Sequence, residues 1–395
     1  MTAATLSATV TFPDGLPVGS PGPAGPPGPQ GPAGTGGGGT GSGYSQRLKV
    51  YRADKKNSAF KKGTLNTLYL RAGVEIEYLG ALYAPTTDQP VTGPTLVPGS
   101  DYRVFIKSDG SLQYDLYSVA LPSGAAVMGG FHMLPGSPAA GLDTGGGWTP
   151  TLLEWSIWDV TFRPKCDPRG MTRIGSAGFW VDIYFHGTNS NTAGVSGNDD
   201  TIMSGSNWPL IPADFGGDGT TKFTQLTWWI ANEHLRGWGK RLPSYEEMCL
   251  AAFGTNEGDG RGLHPVKTGL GTFNTPPNSD PNFTSKFGLI QATGCMWIWT
   301  STLSDWQGTA APADPGFDCY DVTGGRGKLI LQNSADLTAL LFGGSSVYTS
   351  TSSPTANYGA NYLGVAGSRC AETIEKLWDN SSNIAMRGAC DHTSR

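Results

Sequence analysis

Glycine stands at every third position from Gly19 through Gly22, Gly25, Gly28, Gly31 and Gly34 to Gly37, and Ser20-Pro21, Pro23-Ala24, Pro26-Pro27, Pro29-Gln30 and Pro32-Ala33 keep the phase between them. A flexible Gly/Pro linker needs no such register. A collagen triple helix does, because each chain lies near polyproline II and only glycine fits at the crowded axis. The period therefore constrains the number of chains as well as the local conformation, and it predicts a homotrimer. At ~3 Å rise per residue the run makes a rod of about 50 to 60 Å. A rod that short is marginal alone, so folded flanks are expected to hold the trimer together.

The remaining length is ample for two or three domains with buried cores. With 15% charged residues and a net charge of -5, the chain lacks the basic stripe that nucleic acid or an anionic membrane surface requires. Neither nucleic-acid binding nor membrane insertion is expected. The opening Met1-Thr-Ala-Ala-Thr has no basic n-region and no apolar h-region, which predicts synthesis in the cytosol without Sec export. Cys166, Cys249, Cys295, Cys319, Cys370 and Cys390 show no CxxC spacing. They read as buried free thiols, with no obligatory disulfide and no zinc site. The 58 glycines and 12 tryptophans indicate a loop-rich chain in which aromatic side chains pin irregular backbone to a small scaffold.

Residues 1–18 carry one short alternating strand, Leu6 to Phe12, and read as an attachment segment. Residues 19–43 are the rod and a Gly/Ser/Thr hinge. Over 44–166 the pattern is strands and turns. Tyr102, Val104 and Ile106 alternate with Arg103, Phe105 and Lys107, Asp109-Gly110 supplies a turn with positive φ, and Leu112, Tyr114 and Leu116 resume the alternation. Trp155 to Phe162 reads as a further strand, and Pro164 to Pro168 marks a boundary. In 167–395 two helices stand out. One runs from about Lys222 to Arg236 with Leu226, Trp229, Ile230 and His234 on one face. The other opens on the capping box Ser244-Tyr245-Glu246-Glu247 and stops at Gly254. Beyond Thr255 the chain reads as short strands and long loops.

Several segments carry a family resemblance. They are Gly129-Gly130-Phe131-His132, Trp158-Asp159-Val160-Thr161-Phe162-Arg163-Pro164, Asp167-Pro168-Arg169-Gly170-Met171, Gly239-Lys240-Arg241-Leu242-Pro243, Gly294-Cys295-Met296-Trp297-Ile298-Trp299, Phe342-Gly343-Gly344, Gly367-Ser368-Arg369-Cys370 and Arg387-Gly388-Ala389-Cys390-Asp391-His392. In this order they resemble the phage major tropism determinants, fibre-tip proteins on the formylglycine-generating-enzyme branch of the C-type lectin fold. The resemblance implies a mixed architecture: a β-sandwich-like domain over 44–166, then an α+β C-type lectin domain over 167–395, in a homotrimer. It also implies a virion protein at the tail-fibre tip that binds a host bacterial surface receptor, protein or glycan, and joins a tail or baseplate protein through its N-terminus. The collagen-like segment departs from the family, which has a β-prism there.

The resemblance further implies a receptor-binding segment between the Phe-Gly-Gly turn and the Arg-Gly-x-Cys-Asp-His ending, here Ser345 to Asn383. The variable positions of the family would fall on Ser345, Val347, Glu372, Ile374, Glu375, Asp379, Ser381 and Asn383. Tyr348, Tyr358, Asn361 and Tyr362 in the same stretch suit a binding surface, since tyrosine offers large contact area with few rotors and asparagine adaptable hydrogen bonding. A Ser/Thr-rich low-complexity loop is the competing reading. The family is diversified by a retroelement that randomises adenines in codons ending in a pyrimidine, and such codons cannot become Glu or Lys. Glu372, Glu375 and Lys376 therefore favour a fixed receptor reader.

Other chemistries fare less well. The formylglycine-generating relatives use a closely spaced cysteine pair near the end of the fold, and this chain lacks one. Cys390-Asp391-His392 invites a nucleophilic reading, but neighbouring side chains on a strand diverge, so a packed Cys and a hydrogen-bonded His are expected instead. No catalytic residues are assigned, and the chain reads as a binding protein. His132, His186, His234 and His264 show no metal-ligand spacing. Trp378-Asp379-Asn380 only permutes the Trp-Asn-Asp element of calcium lectins, and Asp199-Asp200 and Asp214 to Asp218 read as solvated turns. No cofactor or metal is expected. Trp228, Trp229, Trp297 and Trp299 read as core. A structural fibre component joining neighbouring virion proteins is the alternative function.

Overall fold

In the computed structural model, which describes residues 48–258, 260, 265–270, 281–304, 317–320, 323–332, 337–346, 366–373 and 375–393, the alternation around Asp109-Gly110 forms a hairpin. Its arms pair from Tyr102 opposite Leu116 to Ile106 opposite Leu112. Lys107 N donates to Ser111 O at 3.0 Å, and Gly110, at φ 84°, takes the left-handed position. The N-terminal strands are β1 (Lys49–Tyr51), β2 (Phe60–Lys62), β3 (Leu68–Leu70), β4 (Glu75–Tyr78), β5 (Ala81–Tyr83) and β6 (Gln89–Val91). The hairpin arms are β7 (Ser100–Ile106) and β8 (Leu112–Leu116), followed by β9 (Ala126–Leu134), β10 (Thr151–Leu152) and β11 (Trp158–Asp159). They make three antiparallel sheets, β1-β4-β5, β2-β3-β6 and β10-β9-β7-β8, with β11 also on β9. One core containing Phe60, Leu68, Ile76, Tyr102, Val104 and Phe131 serves all three. Tyr102 stacks on Phe131 with ring centroids 5.1 Å apart, a geometry that adds to area burial.

The single strand expected over Trp155 to Phe162 is not formed. Glu154–Ser156 is a 3₁₀ turn, β11 is two residues long, and Asp159 then bridges back to Phe162. The cause is the buried Asp159 carboxylate. It accepts from Thr161 N at 2.7 Å and from Ala59 N at 2.6 Å, so a local Asx turn replaces the ladder.

The C-terminal part contains β12 (Met171–Arg173), β13 (Phe179–Asp182), α1 (Trp228–Arg236), α2 (Tyr245–Ala251), β14 (Trp297–Ser304), β15 (Phe317–Tyr320), β16 (Leu329–Gln332), β17 (Thr338–Phe342), β18 (Ala371–Glu372), β19 (Ile384–Ala385) and β20 (Ala389–Asp391). A six-stranded sheet runs β15-β16-β18-β17-β14-β19, with β16-β18 and β14-β19 parallel. A second sheet, β12-β13-β20, brings the last strand against the first strands of this part. Among the described residues the fold is mostly β, and no helix is long and apolar enough to cross a membrane.

Helix α2 begins as its sequence predicts: Ser244 Oγ accepts from Glu247 N, and the Glu247 carboxylate accepts from Ser244 N at 2.8 Å. It ends at Ala251 with Ala252 as its cap, two residues before Gly254. Helix α1 is shorter than expected. Thr227 caps it, its side chain accepting from Ile230 N. Leu226 precedes it instead, pinned where its amide donates to Asn380 Oδ1 at 2.7 Å. The buried face is Ala231, His234 and Leu235, while Trp229 points outward, 54% exposed. Trp297 and Trp299 are core, as expected, and Trp228 is half-buried with its indole N–H on Thr300 O.

Residues 44–395 form one compact unit. The boundary expected between 166 and 167 is thus a change of sheet set within one body and not a linker. Buried His132 on β9 holds Asp101 through Nδ1 at 2.8 Å and Tyr184 through Nε2 at 2.9 Å, and Gly170 N donates to the same Asp101 carboxylate. Residues on both sides of the boundary therefore share one hydrogen-bonded joint.

Candidate receptor-binding face

Behind the face lies a buried polar scaffold. Arg387, fully buried, donates to the carbonyls of Asp182, Ile183, Ile290 and Gln291 and lies 4.2 Å over the Phe185 ring. Burial pulls its pKa down to about 9, still above neutrality, so the charge is kept; the four carbonyls take its two terminal nitrogens, while Nε is buried with no hydrogen-bond partner. Asp182, at the end of β13, accepts from Lys240 Nζ at 2.6 Å, from His186 Nε2 at 2.8 Å and from Gly388 N at 2.7 Å. Burial alone would raise its pKa, yet Lys240 and His186 hold it below the usual carboxylate value. Lys240 also donates to Gly194 O. Side chains from β13, the 239–243 segment and the 386–388 turn are thereby locked to one another, in a region with few regular elements.

The segment 375–383 is fastened mostly by main chain. Leu377 O accepts from Trp228 N at 3.1 Å, Ser381 O from Gly205 N at 2.9 Å and Asn383 O from Trp297 N at 2.9 Å. The Asn380 carboxamide bonds Leu226 N and Gly205 O. Asp379 Oδ2 accepts from Lys376 N at 2.7 Å, closing a tight turn whose tip carries Trp378, 54% exposed with the Lys376 ammonium 5.6 Å from its ring. Such an exposed aromatic side chain on a rigid turn costs little ordering entropy on contact with a partner.

The positions expected to bind fall into three groups. Glu375, Asp379, Ser381 and Asn383 are partly exposed on this segment, and the Ser381 hydroxyl donates to Asn383 Oδ1. Ser345 and Glu372 are buried, so they do not present side chains to solvent, which corrects their expected place on a contact surface. Ser345 bridges Cys295, and Glu372 sits on β18 between β16 and β17. Val347, Tyr348, Tyr358, Asn361, Tyr362 and Ile374 lie outside the described residues, as do Gly19, Gly22, Gly25, Gly28, Gly31, Gly34 and Gly37. Burial pushes Glu372 well above the carboxylate range, with Glu375 adding to it. Glu375 is pushed up to about 7 by burial and by Asp379. Sequence reasoning missed the exposed Trp229 and Trp378. Both lie beside strong core signals, which hid them, and only the cap at Thr227 and the Asp379 turn reveal that they face outward.

No protein-family model matches the chain. The tail fibre receptor-binding protein of Bordetella phage BPP-1 is 36% identical over 353 residues, covering 86% of this chain and 84% of the relative. The chain belongs to the major tropism determinant family. Solved structures of that family agree: the M1 variant superposes with a TM-score of 0.73 at 35% identity, covering 88% of this chain and 87% of the variant. The I1 variant gives 0.73 at 36% identity, covering 88% and 86%. The C-type lectin resemblance of the sequence is thus shown for the fold, and the family-like motifs Gly239 to Pro243 and Arg387 to His392 supply Lys240 and Arg387 of the scaffold, with Asp182 coming from β13.

The Cys390-Asp391-His392 ending separates its side chains. Asp391 pairs with Lys165 and Arg241, both at the surface. His392 Nδ1 accepts from the Trp180 indole N–H at 3.0 Å, with the two rings stacked. Among the described residues no group of three or more His, Cys, Asp or Glu side chains is arranged to hold a metal ion. Asp200 is buried and occupied by Asn189 N and Thr188 Oγ1, and Asp218 closes an Asx turn on Thr220 and Thr221.

Proposed function

We propose that this protein forms the tip of a phage tail fibre and binds a receptor on the host bacterial surface, thereby directing adsorption. The observation that carries the reading is the 36% identity over 353 residues with a tail fibre receptor-binding protein, supported by the matching fold. The binding face in this reading comprises the 375–383 turn with Trp378, Asp379 and Ser381, together with the 347–365 stretch whose tyrosines suit a paratope. The chain acts by binding and has no catalytic role. The Gly-X-Y run winds three copies into a homotrimer, residues 1–18 attach it to the tail or baseplate, and the protein resides in the virion. Three heads on one rod raise the effective concentration of each for its receptor, so individually weak contacts give firm attachment. The Glu372, Glu375 and Lys376 identities favour a fixed reader over a retroelement-diversified one.

The test is binding of labelled, purified full-length protein to a panel of bacterial strains, with competition against phage adsorption. Saturable, strain-restricted binding that blocks adsorption supports receptor recognition. Absence of binding to a panel that contains the host, with capture of neighbouring virion proteins instead, transfers the role to a structural fibre component.

A further inference from the structure

The geometry points to a disulfide between Cys166 and Cys390 that forms when the protein meets an oxidising medium, tying the segment before β12 to the C-terminal strand. The backbone places the pair. Thr393 N donates to Arg163 O at 2.8 Å, Pro164 stands opposite His392, and Lys165 N donates to Asp391 O at 3.0 Å. The ladder ends there, since Ala389 N donates to Arg241 O, and the chain bends at 165–166 over the Cys390 side chain. Direct contact of the Cys166 amide with the Cys390 sulfur brings the two residues within reach of the ~4.4 to 6.8 Å Cα separation that a disulfide spans. Cys166 N donates to Cys390 Sγ at 3.2 Å, and both residues join one cluster with Trp158, Phe162, Met171 and Trp180.

The two sulfurs differ in a way that suits exchange chemistry. Cys390 is buried, while Cys166 is half-buried and nearer to solvent. A hydrogen bond from the Cys166 thiol, with the amides of Cys166 and Lys165, outweighs burial and pulls Cys390 down to about 7, and the same contact and burial push Cys166 up. With a small-molecule disulfide such as oxidised glutathione as oxidant, the Cys166 thiol hands its proton to the Cys390 thiolate it is hydrogen-bonded to and, as the more exposed sulfur, attacks one sulfur of the oxidant. The first glutathione leaves as a thiolate that takes up a proton. Cys390, as thiolate, then attacks the Cys166 sulfur and expels the second glutathione, which takes up the proton that Cys390 released. Two protein thiols are oxidised to one disulfide, and one glutathione disulfide is reduced to two thiols. Cys295 and Cys370 are buried away from solvent, and burial pushes Cys249 up to about 11. The bond would close a loop spanning 224 residues, where restricting the unfolded chain has most effect.

The test treats purified full-length protein with oxidised glutathione, then alkylates it after unfolding and maps peptides without reduction. Expected are two fewer alkylatable thiols and a Cys166–Cys390 linked peptide, with the linkage absent in Cys166→Ser. Reduction should lower the melting temperature of the wild type by on the order of 5 °C and leave that of Cys166→Ser unchanged. Full alkylation of both cysteines, a stable glutathione adduct on Cys166 that never resolves, or a linkage between other cysteines would each overturn the proposal.

Discussion

Replacing Asp182 by Asn removes the charge of a fully buried carboxylate that accepts from Lys240, His186 and Gly388, and leaves the Lys240 ammonium without its counter-ion. Lys240 is itself buried, with Gly194 O as its other acceptor among the described residues. Breaking such a pair on one side costs about 3 to 5 kcal/mol, because the remaining charge is neither hydrated nor paired. For a body of this size, the usual unfolding entropy per residue turns that into a drop in melting temperature of about 4 to 7 °C. The assay is urea unfolding and thermal melting at pH 7 on wild type, Asp182→Asn and Asp182→Asn with Lys240→Met. The double variant should recover part of the loss, since removing both charges leaves no uncompensated ion. Acid dependence has a definite sign. The folded pKa of Asp182 is depressed below 3.8, so its stabilisation is present above 3.8 and is lost as pH falls through the folded value. The gap between wild type and the single variant should therefore narrow in that window. A loss below about 1 kcal/mol for Asp182→Asn at pH 7, or a double variant weaker than the single by as much as Lys240→Met alone, would refute the reasoning.

Glu372 and Glu375 carry raised folded pKa values, so their contribution is full below the ordinary 4.5 and is lost as pH rises through the folded values, which for Glu375 is about 7. Glu372→Gln should accordingly stabilise the protein by about 1 kcal/mol at pH 8 and less at pH 5, seen as a pH-dependent difference in melting temperature. Trp378→Ala removes an exposed side chain, so melting should shift by no more than ~0.5 kcal/mol equivalent, while binding of the full-length protein to host cells falls at least about fivefold; equal binding would remove Trp378 from the receptor face. Ser244→Ala breaks the α2 capping box and should cost about 1 kcal/mol in urea unfolding.

How much was legible in the sequence depended on the range of the interactions involved. The hairpin at Asp109-Gly110 and the α2 capping box are encoded within a few residues, and both form where the pattern puts them. The Trp155 to Phe162 strand and the start of α1 were misread for one reason: a distant partner decides them. Asp159 reaches Ala59 across a separation of 100 residues, and Asn380 takes the Leu226 amide across 154. No local propensity carries that information. The same holds for the binding face. Asp379 and Ser381 were placed by resemblance to the family, but the burial of Glu372 follows from its position between β16 and β17, a crossing of strands far apart in the chain. Its acidic identity concealed that position, because Glu is almost never buried unpaired.

The anchoring of the 375–383 turn shows how a loop-rich fold could hold the recognition surface proposed for it without sacrificing order. Three of its fastenings, Trp228 N to Leu377 O, Gly205 N to Ser381 O and Trp297 N to Asn383 O, use main-chain groups on both sides. Such bonds do not depend on which side chain occupies 377, 381 or 383. Asn380 is the exception, because its carboxamide itself holds Leu226 and Gly205. A surface held this way separates two demands that compete in most loops, since exposed side chains can be chosen for the partner while the backbone position is set by neighbours. It follows that Ser381→Ala and Asn383→Ala should alter binding with little effect on unfolding, whereas Asn380→Ala should lower stability by about 1 to 3 kcal/mol by orphaning the Leu226 amide. If urea unfolding shows all three substitutions equally destabilising, the side chains rather than the main chain hold the turn, and the division of labour proposed for this face is wrong.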